Sequence, residues 1–408
     1  MKRRIAITGL GAVTPIGIGK EEMFEASIKG ASGFGEVTLF DISGYETKTA
    51  CEVKNFKPQD FMLPQVFRKI DRFAQFGVAS AKLAIEDAGV KNLINESENH
   101  IPVVIGTGLG GSLFHEEQIF KLLETREPRK VLSSSVPRIA PNAVSAYIAM
   151  EFKLKGPNLA ISTACSSGAN AIIQAAHYIE TGFSDIVVTG GVECPITPFT
   201  YAAYQALCVL SKEKSNSPRP FDIKRDGFVL GEGGAILILE ELEHARSRGA
   251  KIYAELLGYS SNCGAYHMAS PMPEGDDAAL AMKEAISNSG ITPKDIHYIN
   301  AHGTATKLND IAESKAIQKI FGPNTPYTSS TKSQMGHTIG AAGAIEAMLT
   351  VLTVNNNQIP PNINCDELDP ECLINVVRNQ ALKTEIKYAL SNSFGFGSNN
   401  AVLVFGKG

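Results

Sequence analysis

Short apolar runs of strand length recur along the whole chain, separated by stretches of helical character. The runs are nearly continuous in apolar residues, as expected for strands that are covered on both faces. This pattern predicts an α/β protein with parallel or mixed sheets and helices on both sides. The eight runs are residues 5–8, 102–105, 159–162, 186–189, 235–239, 296–299, 389–391 and 402–405.

Two intervening stretches have the features of helices, and a third has those of a loop. Residues 21–29 are amphipathic, whereas residues 74–88 are alanine-rich and apolar nearly throughout, which predicts a helix sandwiched between sheets. Gly89 follows as a helix stop signal. Residues 211–222 are polar and proline-rich, which predicts a long surface loop.

A weak internal repeat indicates duplication. Residues 161–163 precede a small-residue helix that runs to Glu180, and residues 329–331 precede a glycine- and alanine-rich helix that runs through Val354. The corresponding loops of two such halves are expected to meet in one cleft. We place the boundary near residue 252, which gives halves 1–252 and 253–408.

Composition and charge narrow the functional classes. With 408 residues, 44% of them hydrophobic, the chain can bury a large core. Its formal net charge of -4 provides no basic field that would attract nucleic acid or an anionic membrane, so we expect neither partner. No apolar run reaches the ~18 residues of a membrane-spanning helix. The basic start leads into a short run that we interpret as a buried strand and not as a signal peptide.

The cysteines indicate a reducing environment and one candidate nucleophile. Seven cysteines are scattered without a C-x-x-C pair, which favours the cytoplasm over a disulfide framework or a zinc site. Cys165 lies in the segment Ser162 to Gly168, between a predicted strand and a predicted helix. The helix N-terminus is expected to lower the pKa of the thiol and make it nucleophilic near neutral pH. A small buried structural cysteine is the alternative interpretation.

Three further segments place polar groups after apolar strands. His302 follows the run 296–299, where ligands bind in open α/β sheets. Lys332 and His337 lie in a second segment, residues 330–337, although such a lysine taken alone is more often solvated. Residues 391–400 form an aromatic and glycine-rich loop, which taken alone is an ordinary hairpin turn.

Together and in this order, the four segments resemble the β-ketoacyl-acyl carrier protein synthases, the condensing enzymes of dissociated fatty acid synthesis. The similarity covers essentially the whole chain. It implies a thiolase-like fold of two duplicated halves in five layers, αβαβα, and usually a homodimer. It also implies a decarboxylative condensation of a Cys-bound acyl chain with malonyl-acyl carrier protein, which yields β-ketoacyl-acyl carrier protein and CO2.

The resemblance assigns roles to individual residues. Cys165 corresponds to the nucleophile, and His302 and His337 correspond to neutral hydrogen-bond donors for the enolate. The backbones of Cys165 and Phe396 correspond to the oxyanion donors, and the Phe396 ring to a gate before the acyl pocket. The remaining correspondences are Lys332 and Glu346 as a charged pair that keeps the histidines neutral, Thr304, Thr306 and Phe394 in substrate binding, and Asp310 and Glu313 as supporting carboxylates.

Ions and partners are also implied by the resemblance. Asn300, Glu346, Ser391 and Asn392 resemble a structural site for Na⁺ or K⁺, an ion that suits oxygen ligands. No cofactor is expected to be required. The basic pairs Arg68-Lys69 and Arg129-Lys130 resemble a dock for an acidic acyl carrier protein near the tunnel mouth, a solvated face being the alternative.

The chain departs from the family pattern at three positions. Relatives usually read Gly-Phe-Gly-Gly-x-Asn where this chain has Ser398 in the fourth position, and a Cβ there narrows the allowed backbone dihedrals. Lys307 replaces a common proline, and Ala269 replaces a common hydroxyl residue. These changes affect expectations about substrate preference and loop movement, not about the chemistry.

Other functions remain open at this point. Residues 106–111 fit the dinucleotide pattern G-x-G-x-x-G, but we assign them to a wall of the acyl pocket and expect no NAD(P)H dependence. A thiol-dependent thioester hydrolase would use the same nucleophile without needing the second histidine. A ketosynthase of a specialised polyketide or polyene pathway is a further alternative. A non-catalytic chain-length partner is disfavoured because Cys165 is retained.

Overall fold

Ten strands build the framework of the protein in the computed structural model, which describes residues 3–94, 100–215 and 217–408. All eight predicted runs overlap these strands, while Ala254–Cys263 and Tyr327–Ser329 have no counterpart among the predicted runs. The strands of the first half are β1 (Ile5–Thr14), β2 (Val103–Gly106), β3 (Asn158–Ile161), β4 (Ile186–Glu193) and β5 (Gly233–Glu241). Those of the second half are β6 (Ala254–Cys263), β7 (Tyr298–Asn300), β8 (Tyr327–Ser329), β9 (Tyr388–Gly395) and β10 (Asn399–Lys407).

The two halves share one strand order. The first is arranged β3-β2-β4-β5-β1 and the second β8-β7-β9-β10-β6, so both place their strands in the order third, second, fourth, fifth, first. In each half the second strand is parallel to its two neighbours, and the other pairings are antiparallel. The halves join where Ile5, Ala6 and Ile7 of β1 pair with residues 254–256 of β6. This repeated topology agrees with the predicted duplication.

Six helices repeat in the same way. They are α1 (Arg72–Ala88), α2 (Ala143–Phe152) and α3 (Ser167–Glu180) in the first half, and α4 (Asp276–Ser289), α5 (Lys307–Phe321) and α6 (Ala342–Asn356) in the second. In each half they follow the first, second and third strand in turn. The predicted boundary at residue 252 lies just before β6 and stays a prediction.

Alternation along the strands creates three hydrophobic cores. In β5, Ile236 and Ile238 pack with α1, while Leu237 and Leu239 point to the opposite face and pack with α3 and α6. In β10, residues 402 and 404 likewise pack with α4, and residues 403 and 405 face α3 and α6. The layers are therefore helix, sheet, helix, sheet, helix, which confirms the αβαβα fold.

The helix predicted at 74–88 is displaced from its expected layer. It is α1, which begins at Arg72 and ends at Gly89 in a left-handed conformation, as the stop signal predicted. Its core is the outer one of the first half, so it is not sandwiched between sheets. It is apolar nearly all round because α2 and the aromatic side chains of residues 56, 61 and 67 cover its other side. The helices between the sheets are α3 and α6.

Shorter elements complete the described structure. None of the helices in the described ranges is long and apolar enough to cross a membrane. The remaining helices are Lys20–Ile28, Pro58–Asp60, Pro64–Phe67, Lys91–Ile94, Ser112–Thr125, Pro128–Lys130, Ser135–Ile139, Pro198–Ala206, Leu242–Ser247, Pro293–Asp295, Lys332–Met335 and Ile339–Ala341, and the remaining strands are Gly17–Ile18, Phe34–Glu36, Thr49–Cys51, Leu230–Gly231, Gln358–Ile359, Asn375–Val376 and Leu382–Lys383.

Candidate active site

Cys165 stands on a sharp turn between β3 and α3. Ala164, just before it, has a φ of 51°, a left-handed conformation that residues with a Cβ seldom adopt. The Ser167 hydroxyl holds the turn, because it accepts from the Thr163 N–H at 2.9 Å and donates to the Ala164 carbonyl at 2.6 Å. The turn lets the otherwise buried Cys165 line a cavity.

The two inner helices cross at glycines. A Cβ on Gly168 of α3 would lie 2.7 Å from the Ala344 nitrogen, and a Cβ on Gly343 of α6 would lie 2.7 Å from the Ala169 nitrogen. A larger side chain at either position would force the helices apart. The contact between Gly168 and Gly343 therefore fixes Cys165, at the start of α3, relative to the segment before α6. That segment carries His337.

His302 follows β7 and is held by a buried carboxylate. Glu313, on α5, accepts from the backbone N–H of His302 at 2.9 Å and from that of Gly303 at 2.8 Å. The Asn392 side chain donates to the same carboxylate at 3.1 Å. Burial raises the pKa of Glu313, while these hydrogen bonds oppose the shift. Glu313 thus positions the histidine loop without lining up for proton transfer.

His337 lies beside the thiol. Its Nε2 is 3.1 Å from Cys165 Sγ, and its backbone N–H donates to the Val229 carbonyl at 2.7 Å. The ring of Phe228 packs edge-on against the imidazole, with centroids 5.2 Å apart. The rings of His302 and His337 are themselves 5.4 Å apart and nearly perpendicular. Both imidazoles therefore converge near the sulfur.

The partners of the two Nδ1 atoms fix the tautomers. The backbone N–H of Ile339 donates to Nδ1 of His337 at 3.3 Å, and Lys332 Nζ lies 3.2 Å from Nδ1 of His302. A backbone N–H and an ammonium can only donate, so each neutral ring must carry its proton on Nε2. Burial, followed by the charge of Lys332, holds the pKa of both imidazoles well below the ordinary value. The site thus presents two neutral Nε2–H donors.

Lys332 is paired behind the histidines. It is 2% exposed and donates to Glu346, which is equally buried. Burial raises the pKa of Glu346 to about 7, although Lys332 pulls it down. The second oxygen of Glu346 has no partner among the described residues.

The thiol itself does not behave as its helix position predicts. Burial raises the pKa of Cys165 to about 12, and the Lys332 charge and the Phe396 backbone N–H only partly oppose this. The expectation of a lowered pKa was wrong for this buried thiol, because desolvation of the thiolate outweighs the favourable charges around it.

The cavity in front of these groups has a volume of about 580 Å³. It is lined by Cys165 and both histidines, by the four predicted substrate-binding residues Thr304, Thr306, Phe394 and Phe396, and by Glu313. The hydroxyls of the two threonines are 2.9 Å apart, and the Phe394 ring lies 5.8 Å from that of His302. The structure thus gathers residues that are up to 231 positions apart in the chain, from 165 to 396.

Comparison with known proteins identifies the family. Residues 2–245 match the family described as Beta-ketoacyl synthase, N-terminal domain, and residues 253–366 match Beta-ketoacyl synthase, C-terminal domain. The chain belongs to the β-ketoacyl synthase family.

The chain is similar over its full length to named relatives and to solved structures. A protein named 3-oxoacyl-[acyl-carrier-protein] synthase 2 from Synechocystis sp. is 42% identical, over 100% of this chain and 98% of the relative. One of the same name from Staphylococcus aureus is 41% identical, over 99% and 98%. Among structures, the ishigamide ketosynthase/chain length factor has a TM-score of 0.96 at 34% identity, and a β-ketoacyl synthase from Burkholderia phymatum has 0.93 at 33%, each covering 100% of both chains.

Arg225 supports the site of this β-ketoacyl synthase family member from behind, and the sequence did not reveal it. It is fully buried and pairs with Asp310 at 3.4 Å and Asp369 at 2.6 Å. It also donates to the carbonyls of Thr306 at 3.4 Å and Lys307 at 3.2 Å. Arg225 and Asp310 therefore hold the loop that carries the two cavity threonines. The charged pair 225–226, directly before the apolar stretch 227–231, is the signal that could have found it.

Two sequence expectations near the site need correction. The segment 211–222 is not simply a surface loop, because residues such as Ser217, Phe221 and Asp222 are buried beneath the threonine loop, while residue 216 lies outside the described residues. Residues 106–111 do not line this cavity. Instead, the amides of residues 108 and 109 and of Gly340 donate to the buried carboxylate of Glu193. The glycines let the backbone approach this internal carboxylate.

The predicted docking residues are exposed and lie outside the cavity lining. Arg129 and Lys130 both pair with Glu127, at 2.8 and 2.9 Å, which reduces their free charge. Arg68 follows the short helix Pro64–Phe67, and Lys69 comes next. Their role in docking stays a prediction.

The thiol and the two imidazoles could in principle be metal ligands, since their ligand atoms lie within 4.8 Å of one another. A metal bound to Nε2 requires that nitrogen to be unprotonated. The proton of each neutral imidazole would then lie on Nδ1, where it would face another donor, the Ile339 N–H or the Lys332 ammonium. The nearby Lys332 ammonium adds charge repulsion. The geometry instead suits stabilisation of negative charge on an oxygen placed before the two Nε2–H groups.

Proposed function

We propose that this chain condenses an acyl group, held as a thioester on Cys165, with malonyl-acyl carrier protein in fatty acid elongation. The products are β-ketoacyl-acyl carrier protein and CO2. The observation that carries the proposal is the pair of neutral Nε2–H donors beside a buried thiol. The two relatives at 41% and 42% identity are named as synthases of this kind.

Acyl transfer comes first. The sulfur of Cys165 attacks the carbonyl of an acyl thioester, and the carrier leaves as a free thiol that takes up the proton lost by Cys165. Phe396 lines the same cavity as Cys165, and its predicted role in this scheme is to donate its backbone N–H to the oxyanion. The backbone N–H of Cys165 is the second donor in this scheme.

Condensation follows once the malonyl thioester enters. Loss of CO2 leaves an enolate, whose oxygen accepts the Nε2–H groups of His302 and His337. The enolate carbon attacks the Cys165 thioester, the C–S bond breaks, and the departing cysteine thiolate takes up one proton from solvent. Because both imidazoles are neutral, they can donate to the enolate without giving up a proton.

Product analysis tests this function. Purified protein is incubated with acyl- and malonyl-acyl carrier protein, and Cys165 acylation and thioester products are followed by mass spectrometry. We expect an acyl-Cys165 adduct and a product longer by two carbons with a 3-oxo group. Release of free acid alone would support the hydrolase alternative and contradict the proposal. A polyketide or polyene role is not favoured, because identity to the ishigamide protein, at 34%, is lower than the 42% above.

The carrier and a second copy of the chain are the proposed protein partners. A structural neighbour with a TM-score of 0.91 is a ketosynthase in complex with its acyl-carrier protein. Dimerisation is supported by exposed apolar side chains on the helix Ser112–Thr125, among them Ile119, Phe120 and Leu123, and by the open edge of β3. Light scattering should give twice the chain mass of 43.6 kDa. The chain mass itself would contradict the dimer.

A monovalent cation is proposed at the predicted oxygen cluster. Asn300 Oδ1, Glu346 Oε2, Ser391 Oγ and Asn392 Oδ1 are all buried without a partner among the described residues. Asn300 and Ser391 face each other on paired strands, and Asn300 Nδ2 lies 3.5 Å from the Glu346 carbonyl. These hard oxygen donors suit Na⁺ or K⁺. Melting temperature should rise in either salt relative to N-methylglucamine chloride at equal ionic strength, and equal values would refute the site.

Seven free cysteines, five of them buried, support a reducing compartment, and we place the protein in the cytoplasm on that basis.

A further inference from the structure

The turn between β9 and β10 lies against the segment that follows β6. Phe396 and Ser398 line the cavity from the turn, while His267, Ala269 and Ser270 line it from the segment. These two walls therefore line the same cavity as the thiol. Their mutual contacts decide whether one can move without the other.

The Ser398 hydroxyl is one of the links between the walls. Ser398 Oγ accepts from the backbone N–H groups of Tyr266 and His267, each at 3.3 Å, and donates to the His267 carbonyl at 3.1 Å. Two backbone hydrogen bonds run alongside, from Gly264 to the Ser398 carbonyl at 2.8 Å and from Gly397 to the carbonyl of residue 268 at 2.7 Å. The side chain thus adds three hydrogen bonds to the two that the backbone makes.

The backbone at this position makes the serine unusual. Ser398 has a φ of 57°, in the left-handed region where glycine is the least strained residue. Relatives usually carry glycine here, as the sequence resemblance indicates, so this chain accepts a strained conformation and gains the hydroxyl contacts. Asn399 strengthens the same turn, because its Nδ2 donates to the Phe396 carbonyl at 3.1 Å.

The turn also positions a group at the nucleophile. Phe396 lines the same cavity as Cys165, and a Cβ on the preceding Gly395 would lie 3.1 Å from the Cys165 nitrogen, so movement of the turn moves the Phe396 backbone relative to the thiol. We propose that Ser398 is a positioning residue: its hydroxyl ties the 395–399 turn to the 264–270 segment, keeps the turn packed against Cys165, and opposes opening of the cavity to long acyl chains. The proposal rests on the acyl transfer described above.

Two variants separate the hydroxyl from the backbone strain. Ser398→Ala removes the hydroxyl and keeps the Cβ, whereas Ser398→Gly removes both and restores the residue common in relatives, so folding is not at risk. Both should raise the rate of Cys165 acylation by a long acyl-carrier thioester relative to a short one, by roughly three- to tenfold, the effect of losing about one net hydrogen bond. Malonyl decarboxylation, measured in parallel, should change less than this acylation ratio.

Hydrogen exchange supplies a readout that needs no substrate. In both variants the amides of Tyr266 and His267 lose their acceptor and should exchange several-fold faster, whereas Ser270→Ala, on the same wall, should leave them unchanged. Faster amide exchange together with an unchanged ratio of long- to short-chain acylation rates would overturn the role of Ser398 in acyl entry. A change in the ratio of long- to short-chain acylation rates in Ser398→Gly but not in Ser398→Ala would assign the effect to backbone strain and overturn the proposed role of the hydroxyl. If the wild type made no β-ketoacyl product, the proposed function would be refuted. The hydrogen-exchange result would still test whether the Ser398 hydroxyl holds the turn to the 264–270 segment.

Discussion

Removal of the Lys332 ammonium tests whether this cation controls catalysis through His302. Lys332 Nζ lies 3.2 Å from His302 Nδ1 and is paired with Glu346 in a fully buried position. In Lys332→Met the chain keeps a similar volume but loses the donor that fixes the His302 tautomer. Burial, the main cause of the low His302 pKa, persists, so the ring should stay neutral. It can then place its proton on Nδ1 and turn a lone pair toward the enolate.

The expected loss is that of one oxyanion donor. Such a loss typically costs 10²–10³ in rate, or about 2.7–4 kcal/mol of transition-state stabilisation. We therefore expect malonyl-carrier decarboxylation, measured as acetyl-carrier formation by mass spectrometry, to fall by about two orders of magnitude. Acylation of Cys165 should fall much less, because the imidazole is not needed as a donor in that step.

A double variant separates catalysis from stability. Lys332→Met leaves the Glu346 carboxyl buried without its cation, which should lower the melting temperature. Adding Glu346→Gln removes that carboxylate, so the double variant should regain thermal stability but not decarboxylation. Decarboxylation within about threefold of the wild type in a folded Lys332→Met protein would refute the tautomer argument. Recovery of the rate in the double variant would show that the loss came from the orphaned carboxylate.

Four further outcomes follow from the site geometry. Cys165→Ala should abolish acyl transfer and condensation yet retain malonyl decarboxylation; loss of both activities in a folded variant would contradict the division of roles. Because burial raises the Cys165 pKa to about 12, the thiolate fraction and the rate of alkylation by iodoacetamide should rise about tenfold per pH unit between pH 6 and 9, and a plateau below pH 8 would show a lowered pKa. His302→Ala and His337→Ala should each still acylate the cysteine but lose about 10²-fold in decarboxylation; an unchanged rate would remove that histidine from the mechanism. Charge reversal at Arg129 and Lys130 should slow reactions with carrier-bound substrates more than those with pantetheine thioesters, and equal losses would mark the pair as structural.

The sequence predicted the layers well where apolar runs are long and continuous. It did not predict β6, because Ala254–Cys263 mixes a glutamate, serines, an asparagine and a glycine with its apolar residues. That strand is nevertheless the one through which the halves join, and its burial comes from β1 and β10 on either side. The layer of α1 was predicted wrongly for a similar reason. A helix that is apolar on all sides must be covered, but its sequence does not show which elements cover it.

The same limit applies within the site. Cys165, His302, Lys332 and His337 stand next to strand ends or glycine-rich turns, but their roles were predicted from the family resemblance of the four segments taken together. The tautomers depend on the Ile339 N–H and on Lys332, and the raised pKa of the thiol depends on burial by residues far apart in the chain. None of these follows from spacing alone. Arg225 escaped detection because its carboxylate partners lie about 85 and 144 positions away.

The reciprocal contact of Gly168 and Gly343 has a consequence for recombination between homologues. The nucleophile comes from the first half and both imidazoles from the second, so the reacting atoms are brought into register only across the α3–α6 crossing. A chimera that takes one half from a relative combines α3 of one protein with α6 of another. The two helices must then fit at a crossing where a single added Cβ would already clash. We expect functional exchange of halves to be limited by this helix pair, and an exchange that transplants α3 and α6 together to be tolerated where a simple swap at residue 252 is not.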